Sequence, residues 1–134
     1  MAMQISNYLS ATLLNAALRN TAFTGPATVY IALYTSDPTA ADTGTEVSGG
    51  SYARQAVVFG SPTLVSGQQS VANTAEVVFP VATADWGLVT HIGLKSAETG
   101  GNLLWTKALD NPRTLLVGDR PRFAISSTSV KFTQ

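Results

Sequence analysis

The chain has no cysteine. Disulfide frameworks, thiolate nucleophiles and cysteine-ligated zinc are therefore excluded. Charge is scarce as well: 12% of the residues are charged, about half the usual share for a soluble domain. Eight basic side chains balance eight acidic ones. That balance implies no basic face, so neither nucleic acid nor an anionic membrane is an expected partner. No apolar run approaches the ~20 residues that a membrane span needs. The opening "MAMQISNYLSATLLNAALRN" lacks the basic front of a signal peptide, and Ser10, Thr12 and Asn15 break its apolar stretch. No membrane span and no cleaved export signal are expected.

What is present is an apolar chain of 134 residues, 45% hydrophobic, long enough to bury a core as one domain over 1–134. Two parts are expected, a helical docking segment over 1–25 and a β body over 26–134 with a long loop at 36–50. In "SNYLSATLLNAALRN", Ser6 or Asn7 can cap a helix, and Leu9, Leu13, Ala16 and Ala17 recur at helical spacing. Leu14 and Leu18 add a second apolar row, which predicts cover on more than one side. Arg19 and Asn20 suit the C-terminal end, and "TGP" at 24–26 stops the helix.

After Pro26 the pattern is one of strands. "TVYIALYT" alternates Val29, Ile31 and Leu33 against Tyr30, Ala32 and Tyr34. "SYARQAVVFG", a short piece at Gln69–Ala72, "AEVVFP" and "LVTHIGLKS" follow. The last is read with Leu88, Ile92 and Leu94 on one face and Val89, His91 and Lys95 on the other. "AETGGN" marks a hairpin turn into "LLWTKAL", and "TLLV", "RFAI" and "SVKF" complete the set. Many short strands with polar turns, and no βαβ alternation, predict a mainly β fold. The architecture expected is an antiparallel β-sandwich or a partly closed, jelly-roll-like barrel with one N-terminal α-helix.

No reactive cluster emerges. "GTEVSGG" in the long loop is glycine-rich but leads into a β pattern instead of a helix, so it cannot cradle phosphate. Asp37, Asp42 and Glu46 share that loop without the close, ordered spacing of a calcium site, and the loop is read as a polar surface connection. His91 is the only histidine, and no GxSxG elbow accompanies it. Arg113, Arg120 and Arg122 are read as turn punctuation with a modest positive patch. Trp86, Trp105 and Tyr52 are candidate platforms for stacking a sugar, set against the reading of each aromatic as core. No catalytic residue, cofactor or metal is assigned.

The segments "NYLSATLLNAALRNTAFTGPATVYIALYTSDPT", "GTEVSGGSYARQAVVFG", "NTAEVVFPVATADWGLVTHIGL" and "ETGGNLLWTKAL" cover most of the chain. Together they resemble a group of small bacteriophage virion structural proteins of the tail-fibre or minor structural type. The resemblance implies a non-catalytic component of the virion, assembled in the host bacterial cytoplasm. A tail-fibre or fibre-base role is the expectation; capsid decoration, a head fibre and a host-glycan-binding module are the alternatives. The expected partners are the chain itself, as a homotrimer, and larger virion proteins. Tyr8, Leu9, Leu13 and Leu14 of the N-terminal helix are the expected contact residues.

Overall fold

The structure, a computed structural model, describes residues 3–131. In chain order the elements are β1 (Gln4–Ile5), α1 (Asn7–Arg19), β2 (Val29–Tyr34), β3 (Gln55–Val57), β4 (Thr63–Val65), β5 (Gln68–Ala72), β6 (Val77–Val78), β7 (Gly87–Lys95), β8 (Leu103–Leu115), β9 (Arg122–Phe123) and β10 (Ser129–Lys131). Phe132, the end of the expected "SVKF" strand, lies outside the described residues. Every strand pairing is antiparallel. Five strands form a sheet in the order β1-β8-β7-β2-β3, three form a sheet in the order β10-β5-β4, and β6 pairs with β9. The fold is mainly β with one helix among the described residues, and the sheets form a sandwich instead of closing into a barrel.

Alternation in β2 sets the core. Ile31 and Leu33 point inward and pair with Leu94 and Ile92 of β7. Against them pack Val77, Phe79 and Val130 from the smaller sheets and their flanks, with Leu9 of α1 at one end. Each such side chain contributes about 2 kcal/mol relative to its exposed state.

The strand pattern departs from the sequence expectation in several places. β1 and β4 lie outside the expected strands. The stretch 52–59 forms a strand only over β3: ahead of it Tyr52 and Arg54 bond Glu46, and after it Phe59 bridges Asn73. "LLWTKAL" runs on through Thr114 and Leu115, the first half of "TLLV", as one strand, β8, while Leu116 and Val117 lie beyond its end. The register jumps from His91↔Ala108 to Val89↔Arg113, so two steps along β7 face five along β8. The extra residues include Pro112, which has no N–H for the ladder and is tolerated where the ladder opens. That bulge also switches the faces of β7: Val89 joins Ile92 and Leu94 in the core, and Leu88 is exposed.

The other face of the large sheet carries Tyr34, Gly93, Lys95 and Leu103, all buried. The loop at 36–50 covers part of it and is no free excursion. Its residues 45–47 run beside the end of β2: the Thr35 N–H donates to the Thr45 carbonyl (2.9 Å) and the Val47 N–H to the Leu33 carbonyl (2.9 Å). Asp42 accepts from the Lys95 ammonium at 2.7 Å and from the Tyr34 hydroxyl at 3.1 Å. Burial, reinforced by the Asp42 charge, pushes the Tyr34 phenol up. Gly93 leaves room for this packing. A Cβ there would lie 2.8 Å from both Leu103 Cδ1 and Tyr34 Cε1.

Glu46 closes the gap between β2 and β3. Arg54 donates from Nε to Glu46 Oε2 (2.8 Å) and from Nη2 to Oε1 (2.7 Å). Its Nη1 donates to the carbonyls of Ala97 (2.8 Å) and Gly100 (2.7 Å) in the β7–β8 turn. The Tyr52 hydroxyl donates to Glu46 Oε2 (2.6 Å) and accepts from the Leu33 N–H (3.0 Å). A phenol oxygen thus stands where a neighbouring strand would offer a carbonyl. Burial acts to raise the Glu46 carboxyl, but the hydrogen bonds from Arg54 and Tyr52 outweigh it and hold the carboxyl below its ordinary value of 4.5.

As the pH drops, the unfolded chain takes up a proton at this position before the folded one does. The stabilisation from Glu46 is therefore complete above its ordinary value and is lost as the pH falls through the lower folded value. Glu46→Gln is expected to lower stability at neutral pH by about 3 kcal/mol, the usual scale for breaking one side of a buried pair, and to flatten the acid limb. Urea unfolding of both proteins at neutral and acid pH measures the two effects. Gly93→Ala is expected to cost about 2 kcal/mol through overpacking; an unchanged denaturation midpoint would contradict the close approach of Leu103 and Tyr34.

Candidate assembly surface

Helix α1 carries apolar side chains on opposite faces, and its mounting is firm. Ser6 caps it: Oγ accepts from the Leu9 N–H at 3.0 Å. The Ser6 N–H donates to the Leu104 carbonyl (2.9 Å) and the Asn7 N–H to the Ala40 carbonyl (2.8 Å), so β8 and the long loop both hold the entry. Asn20 ends the helix in a left-handed conformation (φ 54°), and its backbone N–H donates to the Asn15 carbonyl. Just ahead, β1 pairs Gln4 with Thr106 and Ile5 with Trp105.

This mounting sorts the predicted contact residues. Leu9 is 8% exposed and belongs to the core; Leu13 is half-buried against it. Both line a groove with Val71, Trp105 and Val130, between the helix and the small sheet. Leu9 is thus spent inside the chain, which removes it from the expected contact set. Tyr8 and Leu14 do face outward, at 44% and 57% exposure. The contact set had omitted Leu18, which is the most exposed of the large apolar residues at 77%. Ala11, Leu14 and Leu18, at positions i, i+3 and i+7, form one outward row. The two rows of leucines in the sequence carried that signal.

The aromatic platforms fare differently. Trp86 is 5% exposed, its Nε1–H donates to the Gly50 carbonyl (2.9 Å), and it meets Tyr52 edge-on at 5.5 Å. The Tyr52 ring stacks on Phe79 at 6.2 Å. A sugar could reach no face of Trp86, so the platform reading of that residue is corrected to core; Tyr52 serves the Glu46 network. Trp105 is half-buried beside α1.

The polar candidates are spread over two places. Asp42 is bound to Lys95 and Glu46 to Arg54. The Thr90 hydroxyl lies 2.8 Å from His91 Nδ1, and Asp37 lies 3.8 Å from His91 Nε2, too far for a hydrogen bond. Asp37 is mostly exposed there. Arg113, Arg120 and Arg122 converge on a separate cleft.

With this geometry in place, comparison with known families is informative. A family model described as Podophage GP4 fiber I protein gp80 matches residues 4–131. No curated protein matches the sequence.

The two faces of α1 should respond differently to truncation. Leu9→Ala is expected to lower stability by about 3 kcal/mol, as for a core leucine. Leu18→Ala should change it by less than about 0.5 kcal/mol in the isolated chain. Chemical denaturation of both variants at low protein concentration distinguishes them, and equal losses would mean that the helix is mounted otherwise.

Proposed function

Because the chain belongs to the family of the podophage GP4 fiber I protein gp80, and is thereby a bacteriophage virion structural protein, we propose that it builds a tail fibre or fibre base by non-catalytic packing against copies of itself and larger virion proteins. The observation that carries this reading is the outward row Ala11, Leu14 and Leu18, flanked by Tyr8, on a helix whose opposite face is already used. Single exposed leucines are ordinary on protein surfaces. A row of them on a rigidly capped helix is a surface suited to another helix.

A three-fold arrangement is the preferred form. Rotation about one axis brings the same row from each copy to a common seam, and such closed symmetry leaves no copy with an open contact. Long-range contact through chemistry has no role in this reading: the chain contributes shape and apolar area. A capsid-decoration role would use the same row against a different partner.

Light scattering on the purified chain is expected to give the mass of a trimer, and Leu14→Glu combined with Leu18→Glu the mass of a monomer with an intact fold by circular dichroism. A monomeric wild-type chain, or a double variant of unchanged mass, would remove the proposal. Immunogold labelling of particles separates tail from capsid.

A further inference from the structure

Three of the eight cationic side chains rim one cleft, which encloses about 230 Å³. Arg113 enters from the bulged part of β8, and Arg120 and Arg122 flank Pro121 at the start of β9. The floor is apolar and includes Val89, Leu115 and Phe123. Phe123 is braced edge-on against Phe79 at 6.0 Å. The turn bearing Arg120 is fixed by its backbone. The Gly118 N–H donates to the Ala82 carbonyl (2.8 Å), the Ala82 N–H to the Asp119 carbonyl (2.8 Å) and the Phe79 N–H to the Pro121 carbonyl (3.0 Å). The backbone that presents these cations is therefore set in advance, which lowers the ordering cost of binding.

Acidic neighbours offset them only in part. Asp119, also in the cleft wall, accepts from the Leu116 N–H through Oδ2 at 2.8 Å but keeps its negative charge. Glu76 stands 3.8 Å from Arg122, with both side chains about half exposed, a weak pair. Arg113 and Arg120 form no ion pair among the described residues. Three arginines against the Asp119 and Glu76 carboxylates leave the cleft with a positive excess in a chain of zero formal net charge, which favours an anion. Guanidinium groups hold carboxylates and phosphates through paired hydrogen bonds. Asn111 and Thr114 add neutral donors and acceptors to the wall, suited to hydroxyl groups. A bare inorganic anion would leave the apolar floor and these neutral groups unused.

We infer that this cleft binds a carboxylate-bearing sugar residue, its carboxylate on the arginines and its less polar ring face on the floor. The site is separate from the α1 row and does not depend on how copies of the chain assemble. Duplex nucleic acid fits less well, since the cations encircle one cleft instead of tracking a phosphate backbone.

The test is calorimetric titration of the intact chain with glucuronate at low salt, with glucose and inorganic phosphate as companion probes. Saturable binding of glucuronate is expected, with no binding of glucose and phosphate weaker by about tenfold. Arg113→Gln combined with Arg120→Gln is expected to weaken glucuronate by at least about tenfold with an unchanged melting temperature, whereas Arg19→Gln on α1 should leave binding as it was. Absence of saturable binding, phosphate binding as tight as glucuronate, or equal binding by the folded double variant would each overturn the assignment.

Discussion

The Glu46 carboxylate is the point on which this architecture depends. Three parts of the chain separated in sequence meet there: the long loop through Glu46 itself, the approach to β3 through Tyr52 and Arg54, and the β7–β8 turn through the Ala97 and Gly100 carbonyls that Arg54 also holds. A sheet normally joins its strands through backbone hydrogen bonds. Between the end of β2 and β3 the ladder is interrupted, and side chains complete it. The Tyr52 hydroxyl serves the Leu33 N–H, so a backbone donor in the core strand is satisfied by a residue that arrives from outside the ladder. Such a cross-link is worth more than a surface ion pair, because Arg54 is largely withdrawn from water and its donors have several acceptors.

The same logic accounts for the distribution of the few charges. Lys95 is buried, Arg54 is largely withdrawn from water, and each is paired and binds the long loop to the sheet. With so little charge in the chain, using two cations internally makes the remaining positive side chains conspicuous, and three of them gather at one cleft. The apolar residues divide in a similar way. Most of the strand leucines and valines build the core, and the ones left outside on α1 form a row and are not scattered.

The mainly β antiparallel class, the helix with its Ser6 cap and its Asn20 end, and the hairpin at 97–102 were legible because each rests on local chemistry: period-two alternation, a hydroxyl before a helical repeat, paired glycines in a turn. The continuous β8 was not legible. "DNP" reads locally as a stop, and only pairing with β7 carries the strand past it. The inward turn of Val89 was hidden for the same reason, since a bulge reverses alternation without leaving a mark on the neighbouring residues. The role of the long loop was missed because Asp42 and Glu46 find their cations 53 and 8 residues away, and polar composition alone suggests solvent. On α1 both leucine rows were visible, but the choice of which faces inward needed the position of β8 and the small sheet.

Rigidity connects these features to the proposed structural role. In the proposed reading, a subunit that packs against its neighbours in a regular array cannot let its contact elements hinge. Here α1 is fixed at its entry by β8 and by the long loop, through Ser6 and Asn7. The long loop is in turn fixed to the sheet by Asp42 and Glu46. The outward row of α1 is therefore tied to the centre of the large sheet by a short chain of hydrogen bonds. A loose helix with the same leucines could satisfy them by folding back on its own chain. A firmly mounted one cannot, so its apolar row stays exposed to water until another surface covers it.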